Sequence, residues 1–359
     1  MDKSKNLNTS LPTLSVLIVN YNDAGFISET LESVVSQSYK PKEIIVIDNA
    51  STDNSAEIIQ QFGKHESNIR FIKNAKNMGI LYCYDQFLGV ASGEYFQVIG
   101  AHDKLLPGFF EKSMKLLARY PEAGVCSTLA YLIDEKGKNK GFFVTPIVST
   151  KECFIKPETA MSIVNKIDGY IPGHTAICKR TAFETIGGLI PEMHAAADAF
   201  ALKVIVCKYG ACFIPEALVC IRTFPNSYSK RISKDLNCNK EIWQTMEPLL
   251  TTTYKEYFTQ GHIEYSRDMF SYIINSFTLY NLQNKEVDYI REHVPPKKIL
   301  EKVLYLLIKM GIKSQKILYN LYVFKHSKRR ICPVIYNRLF RSLHFHVLYF
   351  ISKMRRMVV

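Results

Sequence analysis

The stretch LSVLIVNYNDAGFISETLESVVSQSYKPKEIIVIDNASTDNS, residues 14–55, holds two continuous apolar runs. They are SVLIVNYN at 15–22 and EIIVIDN at 43–49, and each ends in polar residues. An apolar run without polar alternation is the pattern of a strand covered on both faces, the condition of a parallel sheet. Between the runs, 26–37 carries Ile27, Leu31, Val34 and Val35 at helical spacing, so they share the buried side of a helix. After the second run, STDNSAEIIQQF starts another helix, with Ser51, Thr52 or Asp53 available as N-cap.

The same unit repeats downstream. IRFIKN (69–74) predicts a third strand, 78–91 a third helix, and EYFQVIGAHD (94–103) a fourth strand that again ends in polar residues. Repeated strand–helix units imply a twisted, mostly parallel sheet with helices on both faces. Ligands of such sheets bind beyond the carboxyl ends of the strands. That rule points at Asn20–Asn22, Asp48–Asn49, Lys73–Asn77 and His102–Asp103. From about 122 to 224 the pattern is mixed, with short strands near 122–129, 141–148 and 211–223 and helices near 157–165 and 194–209. From about 237 onward it reads as helical, and no internal repeat or long linker interrupts the chain.

Composition sets the outer bounds. With 359 residues, 47% of them hydrophobic and 22% charged, the chain is globular and neither collagenous nor disordered. Its nine cysteines are odd in number and form no CxxC pair, which argues for packed thiols over a disulfide framework or structural zinc. No run of about 18 uninterrupted apolar residues predicts a membrane span. The start, MDKSKNLNTSLPTLSV, lacks an apolar signal-peptide centre, so the expected location is cytoplasmic.

The net charge of +13 is unevenly placed. Residues 297–359 hold 15 Lys and Arg against a single acid, Glu301, which leaves −1 for the other 296 residues. Lys298, Lys302, Lys309, Lys313 and Lys316 fall on one arc of a helical wheel, with Val303, Leu307, Met310, Leu318 and Leu321 opposite. KHSKRR (325–330), RLFRSLHFHVLYF (338–350) and KMRR (353–356) continue the mixture of cations and large apolar side chains. Such a tail suits an anionic bilayer surface, where each basic residue contributes about 1 kcal/mol. The plainer alternative is a set of C-terminal helices packed on the body with a solvated basic face. No nucleic-acid partner is expected, because no recognised binding module accompanies the basic residues.

The opening stretch closely resembles the start of family 2 glycosyltransferases. The resemblance continues through NMGI (77–80), ASGEYFQVIGAHDKLLPGFFE (91–111) and AADAF…YGACFIPEAL (196–218), four blocks in order over about residues 13–223. It implies the GT-A fold, an α/β nucleotide-diphospho-sugar transferase fold with a mostly parallel central sheet, and sugar transfer with inversion. The expected organisation is an arm at 1–12, the GT-A domain at 13–230, and a helical C-terminal region at 231–359 with the basic tail from about 297. By the resemblance, Tyr21, Asn22 and Asp48 hold the nucleotide base and ribose, and Asn77 and Gly79 form a turn near the donor phosphates. The alternative readings are that Tyr21 packs under the next helix and that Asp48 caps the turn after its strand. Asp103 matches the last acid of the family's metal-binding motif, which implies a divalent cofactor, Mn²⁺ or Mg²⁺. Here the motif reads Gly100-Ala101-His102-Asp103, so His102 is a metal ligand, a phosphate donor or a turn residue.

Asp198 matches the family's catalytic base, although Ala197 stands where an acid is common. Its alternative reading is an aspartate favoured by the dipole of a helix N-terminus. His174 falls on the acceptor side and Arg222 near the diphosphate. The partners implied are a nucleotide-diphosphate sugar, with a uridine nucleotide assumed from family usage, and a lipid-linked or polysaccharide acceptor. With the basic tail, that places the enzyme on the cytosolic face of the membrane. The competing readings are a catalytically weak nucleotide-sugar-binding or scaffold protein and, more distantly, a nucleotidyltransferase. The latter would usually carry a Gly-rich phosphate loop where this chain reads NYNDAG.

Overall fold

The computed structural model describes residues 11–143, 145–225 and 227–281. The basic tail from about 297 lies outside the described residues. The chain divides into two compact units, Met1–Ile263 and Glu264–Val359. The first holds the sheet and every residue discussed below.

In chain order its elements are β1 (Leu14–Asn20), α1 (Ile27–Val35), β2 (Glu43–Asp48), α2 (Ser55–Gly63), β3 (Ile69–Lys73), α3 (Ile80–Val90), β4 (Tyr95–Gly100) and β5 (Lys104–Leu105). Then come α4 (Phe109–Arg119), β6 (Val125–Ile133), β7 (Asn139–Phe142), β8 (Cys153–Ile155), α5 (Pro157–Ile167), β9 (Ile177–Lys179) and α6 (Arg180–Thr185). They are followed by α7 (Ala197–Tyr209), β10 (Ala211–Arg222), α8 (Tyr228–Ile232) and α9 (Leu236–Pro248). Short 3-10 helices lie at Gly173–Thr175 and Pro191–Ala196.

The strands form one sheet in the order β3-β2-β1-β4-β9-β6-β10-β5, with β7 on β6 and β8 on β10. The long ladders β1–β2, β1–β4, β2–β3 and β6–β10 are parallel, as the apolar runs require. The sheet departs from the expectation at its centre. Three-residue β9 enters antiparallel between β4 and β6 and joins two parallel blocks into one sheet. Such a short strand carries no periodicity of its own, so sequence could not announce it.

Burial explains the strand pattern. Leu14, Val16, Leu17 and Ile18 of β1 and Ile44 to Ile47 of β2 are fully buried, each stabilising the fold by about 1.5–3 kcal/mol. Ile27, Leu31 and Val34 of α1 pack into the same core, with Val35 at its margin. Helix α2 begins at Ser55 with Asn54 in the capping position, one residue after the candidates that sequence offered. Asp53 still serves that end, since its Oδ1 accepts the Ser55 N–H at 3.1 Å.

Register sets up the site. Asn20 of β1 lies opposite Asp48 of β2, Asp48 opposite Lys73 of β3, and Val19 opposite Gly100 of β4. The carboxyl ends of four neighbouring strands therefore finish level, and their loops open on one edge of the sheet.

Candidate active site

Asn20 is buried at the end of β1, and its Nδ2 donates to Asp48 Oδ1 at 2.7 Å and to Ser55 Oγ at 2.8 Å. Asp48 is fully buried as well; its Oδ1 also takes the Ser51 hydroxyl at 2.5 Å and its Oδ2 the Ser51 N–H at 3.2 Å. This is the turn-capping arrangement. Both Asp48 oxygens accept from Ser51, which shapes the 49–53 loop, and Oδ2 takes only that one N–H.

Tyr21, by contrast, is 46% exposed with its ring open at the strand end. The packing alternative for Tyr21 is therefore not what the structure shows. Asn22 adopts a left-handed backbone with φ 57°. Its N–H donates to Ser51 Oγ at 2.9 Å and its Oδ1 accepts the Thr52 N–H at 2.8 Å, which latches the first loop to the second.

Asn49 joins the next pair of loops. Its Oδ1 accepts from Asn74 Nδ2 at 3.1 Å and from the Met78 N–H at 3.0 Å, while its Nδ2 donates to Asn77 Oδ1 at 2.8 Å. Asn77 Oδ1 also takes the Gly79 N–H at 3.0 Å. Gly79, ahead of α3, has φ 83° and ψ 163°, a region open essentially only to glycine. Beside this scaffold lies an open cleft of about 540 Å³ lined by Ala50, Ser51, Thr52, Lys73, Asn74 and Ala75.

The loop after β4 carries the second cluster. Asp103 is 1% exposed. Its Oδ1 accepts the Arg222 backbone N–H at 2.8 Å, whereas its Oδ2 is buried with no hydrogen-bond partner. The Thr30 hydroxyl of α1 holds this loop through the Ala101 and Asp103 carbonyls, at 2.8 and 2.7 Å.

The expectation that Arg222 clamps a diphosphate meets a guanidinium already engaged by protein. It donates to the carbonyls of His102 (2.8 Å), Asp134 (3.0 Å) and Glu135 (3.1 Å) and to Glu29 Oε2 (2.5 Å). It also lies over the Phe26 ring, 4.7 Å from the centroid. Arg222 reaches the site through Asp103 and His102. Sequence reasoning missed Glu29 and Phe26 because they lie at the start of α1, nearly 200 residues from Arg222 in the chain.

His102 Nδ1 lies 3.0 Å from Asp23 Oδ2, and its ring stands edge-on to Phe224 with centroids 5.0 Å apart. Burial draws its pKa down, but the Asp23 hydrogen bond and the Asp103 and Asp23 charges outweigh it and hold the ring above its usual range. Asp23 sits inside the quoted NYNDAG, yet nothing local marks it as the partner of a residue 79 positions later.

Asp198 lies in the first turn of α7, and its Oδ1 accepts the Ala199 N–H at 2.7 Å. Burial raises its carboxyl above the ordinary range, opposed by the neighbouring His174 charge. The Ala199 and Asp198 N–H groups at the helix start pull it in the other direction. Gly173 leaves room for it, since a Cβ there would stand 2.2 Å from Asp198 Oδ2. Tyr84 of α3, another residue that sequence reasoning passed over, is half-buried near this carboxylate, and desolvation followed by the Asp198 charge pushes its hydroxyl far up. His174 faces both acids: its Nε2 is 4.0 Å from Asp103 Oδ2, and its charge acts on Asp198.

No group of three or more His, Cys, Asp and Glu is poised for a metal among the described residues. The fit for a divalent cation rests on the orphaned Asp103 Oδ2 and on Gly100. A Cβ at Gly100 would fall 3.3 Å from His102 Nε2 and 3.5 Å from Asp103 Oδ2, so glycine keeps open the space that these atoms line. One carboxylate oxygen suits a cation whose remaining ligands are substrate phosphates and water.

Residues 15–187 match the Glycosyl transferase family 2 profile. The chain is 29% identical over 132 residues to glycosyltransferase GlyG of Streptococcus pneumoniae serotype 4, covering 37% of this chain and 44% of the relative. It is 27% identical over 212 residues to the poly-beta-1,6-N-acetyl-D-glucosamine synthase of Staphylococcus epidermidis, covering 57% and 48%. The chain thus spans less than half the length of these curated relatives. Among solved structures it resembles S. aureus TarS 1-349 in complex with UDP-GlcNAc, with TM-score 0.54, 14% identity and coverage of 86% and 87%. It also resembles the mannosyltransferase PcManGT from Pyrobaculum calidifontis in complex with GDP-Man and Mn²⁺, with TM-score 0.55, 16% identity and coverage of 88% and 85%. The fold is that of the GT-A glycosyltransferases.

Proposed function

We propose that the chain, whose residues 15–187 match the family 2 profile, is an inverting glycosyltransferase that moves a sugar from a nucleotide-diphosphate donor to an acceptor hydroxyl. The observation that carries this reading is that His174 neighbours two carboxylates: Asp103, which has an unpartnered oxygen, and Asp198, whose carboxyl burial raises.

The base and ribose of the donor lie at the ends of β1 to β3, with the exposed Tyr21 ring as stacking surface. Asp48, Asn49 and Asn77 hold the loops that frame the cleft. Asn22 and Gly79 supply the two turns that admit the diphosphate. A divalent cation on Asp103 Oδ2 would neutralise the charge that develops on the leaving diphosphate. The Arg222 N–H on Oδ1 and the Thr30 hydroxyl on the Asp103 carbonyl hold that residue in place, and His102, tied to Asp23, presents its ring to the same space.

Asp198 takes the proton of the acceptor hydroxyl, a contribution of about 10²–10⁴ in rate. Its raised pKa brings the carboxylate nearer to the basicity this step needs. Gly173 allows it to stand forward, and His174 borders the acceptor.

The acceptor is a lipid-linked or surface-polysaccharide chain, and the enzyme acts peripherally at the cytosolic membrane face. The basic tail at 297–359 and the polysaccharide synthase relative support this. Among the described residues no helix is long and apolar enough to cross a membrane, so attachment would rest on the tail. Deleting 297–359 should release the protein from anionic liposomes; unchanged binding would remove that part of the proposal.

The test of transfer is nucleoside diphosphate release from a panel of nucleotide sugars in the presence of membranes carrying acceptor. Turnover of one donor that Asp198→Asn lowers at least a hundredfold is expected, on the scale of a lost general base. Donor binding without turnover would favour a nucleotide-sugar-binding protein.

A further inference from the structure

A buried carboxylate oxygen without a partner bears an uncompensated desolvation cost, and Asp103 Oδ2 is such an atom. The side chain that faces it is His174, with Nε2 at 4.0 Å. That is too long for a hydrogen bond. Two ligands at about 2.1 Å from one cation can stand no more than about 4.2 Å apart, so a single ion can touch both atoms. The His174 side chain is 47% exposed and sits on a 3-10 turn, so the ring can close the remaining distance by rotation.

We propose that His174 Nε2 and Asp103 Oδ2 together hold the divalent cation, with the donor diphosphate completing its shell. This rests on the reading of Asp103 as the metal carboxylate and adds a nitrogen ligand from a segment 71 residues further along the chain. Where the sequence at 100–103 offers a single acid, the second protein ligand comes from the acceptor side. An imidazole favours first-row transition ions over Mg²⁺, so His174 sets a preference for Mn²⁺. It also couples the halves of the site, since the residue that closes the metal shell borders the base and the acceptor.

His102 is the competing nitrogen. Its ring is tied by Asp23 and packed on Phe224, which fits it for meeting phosphate oxygens.

The experiment is Mn²⁺ binding to the full chain in the presence of uridine or guanosine diphosphate, followed by electron paramagnetic resonance. Electron spin-echo modulation reports any directly bound ¹⁴N. Wild-type protein and His102→Gln should show nitrogen modulation, and His174→Gln should lose it. Loss of a ligand should also raise the Mn²⁺ dissociation constant about tenfold or more. His174→Asp should keep metal binding and move the preference towards Mg²⁺. Mn²⁺ bound by the wild type with no nitrogen modulation, or modulation lost only in His102→Gln, would overturn the inference and leave the role of Asp103 standing. Mn²⁺ binding unchanged in Asp103→Asn would instead remove the reading on which it rests. His174 lies at the surface, so thermal melts of its variants should match the wild type and exclude misfolding.

Discussion

Gly173→Ala tests the placement of the base without altering any titratable group. A methyl at position 173 would stand 2.2 Å from Asp198 Oδ2 and 3.2 Å from its Cγ. Ordinary contact requires about 3.4 Å, so the oxygen must retreat by about 1.2 Å. A displacement of about 1 Å in a reacting geometry costs roughly a hundredfold, and the whole base contribution bounds the loss at about 10⁴-fold. The yielding atom is the end of one short side chain, so the stability cost is small. An off-rotamer side chain costs about 0.5–1.5 kcal/mol, or no more than about 6 °C in Tm for a domain of this size. The expected result is kcat lowered about a hundredfold, with nucleotide affinity unchanged. The assay is nucleoside diphosphate release with the donor that the wild type turns over, beside calorimetric nucleotide binding. Gly89→Ala is the control: its Cβ would meet nothing within 4 Å, and alanine there should stabilise α3 by about 0.5–1 kcal/mol without a rate effect. Transfer by Gly173→Ala within twofold of wild type would refute the argument that Asp198 works from this position.

Four further outcomes follow from the same geometry. Because burial raises the Asp198 carboxyl, the acid limb of kcat/KM should lie above the ordinary aspartate value of about 3.9. A raised folded-state pKa contributes stability below that value and loses it as pH rises through the folded pKa. Asp198→Asn should therefore melt higher than wild type at neutral pH, with the difference vanishing at about pH 4. Gly100→Ala should weaken Mn²⁺-dependent nucleotide binding by filling the space beside His102 and Asp103, while metal-free binding changes little; titrations with and without metal check it. Arg222→Lys cannot reach the three carbonyls and Glu29 that the guanidinium joins. At about 1–3 kcal/mol per orphaned buried acceptor it should lower Tm and loosen Asp103 together; an unchanged melt would contradict that.

The parts of the fold that sequence revealed are those governed by neighbouring residues. Apolar runs named β1, β2 and β4, and their polar exits placed Asn20, Asp48 and Asp103 at one edge of the sheet. Register then did the rest, since parallel pairing sets Asn20 beside Asp48. What sequence could not reveal depends on contacts between distant segments. Arg222 reads as a free cation near a phosphate site, but Glu29 and the 134–135 carbonyls engage it first. Asp48 also accepts from Asn20 and Ser51, contacts that a local reading does not reveal. Gly173 matters only because α7 brings Asp198 over it. Gly100-Ala101-His102-Asp103 offers one acid, and only the fold shows His174 set opposite it.

The central claim is that the level strand ends bind a nucleotide diphosphate through a cation on Asp103. Calorimetric titration of wild type and Asp103→Asn with uridine, guanosine, cytidine and thymidine diphosphates, each with and without Mn²⁺, tests it most directly. The account predicts that one nucleotide binds the wild type with an affinity that Mn²⁺ strengthens, and that Asp103→Asn abolishes the strengthening. Binding of no nucleotide by the wild type, or an equal response to Mn²⁺ in both proteins, would contradict it.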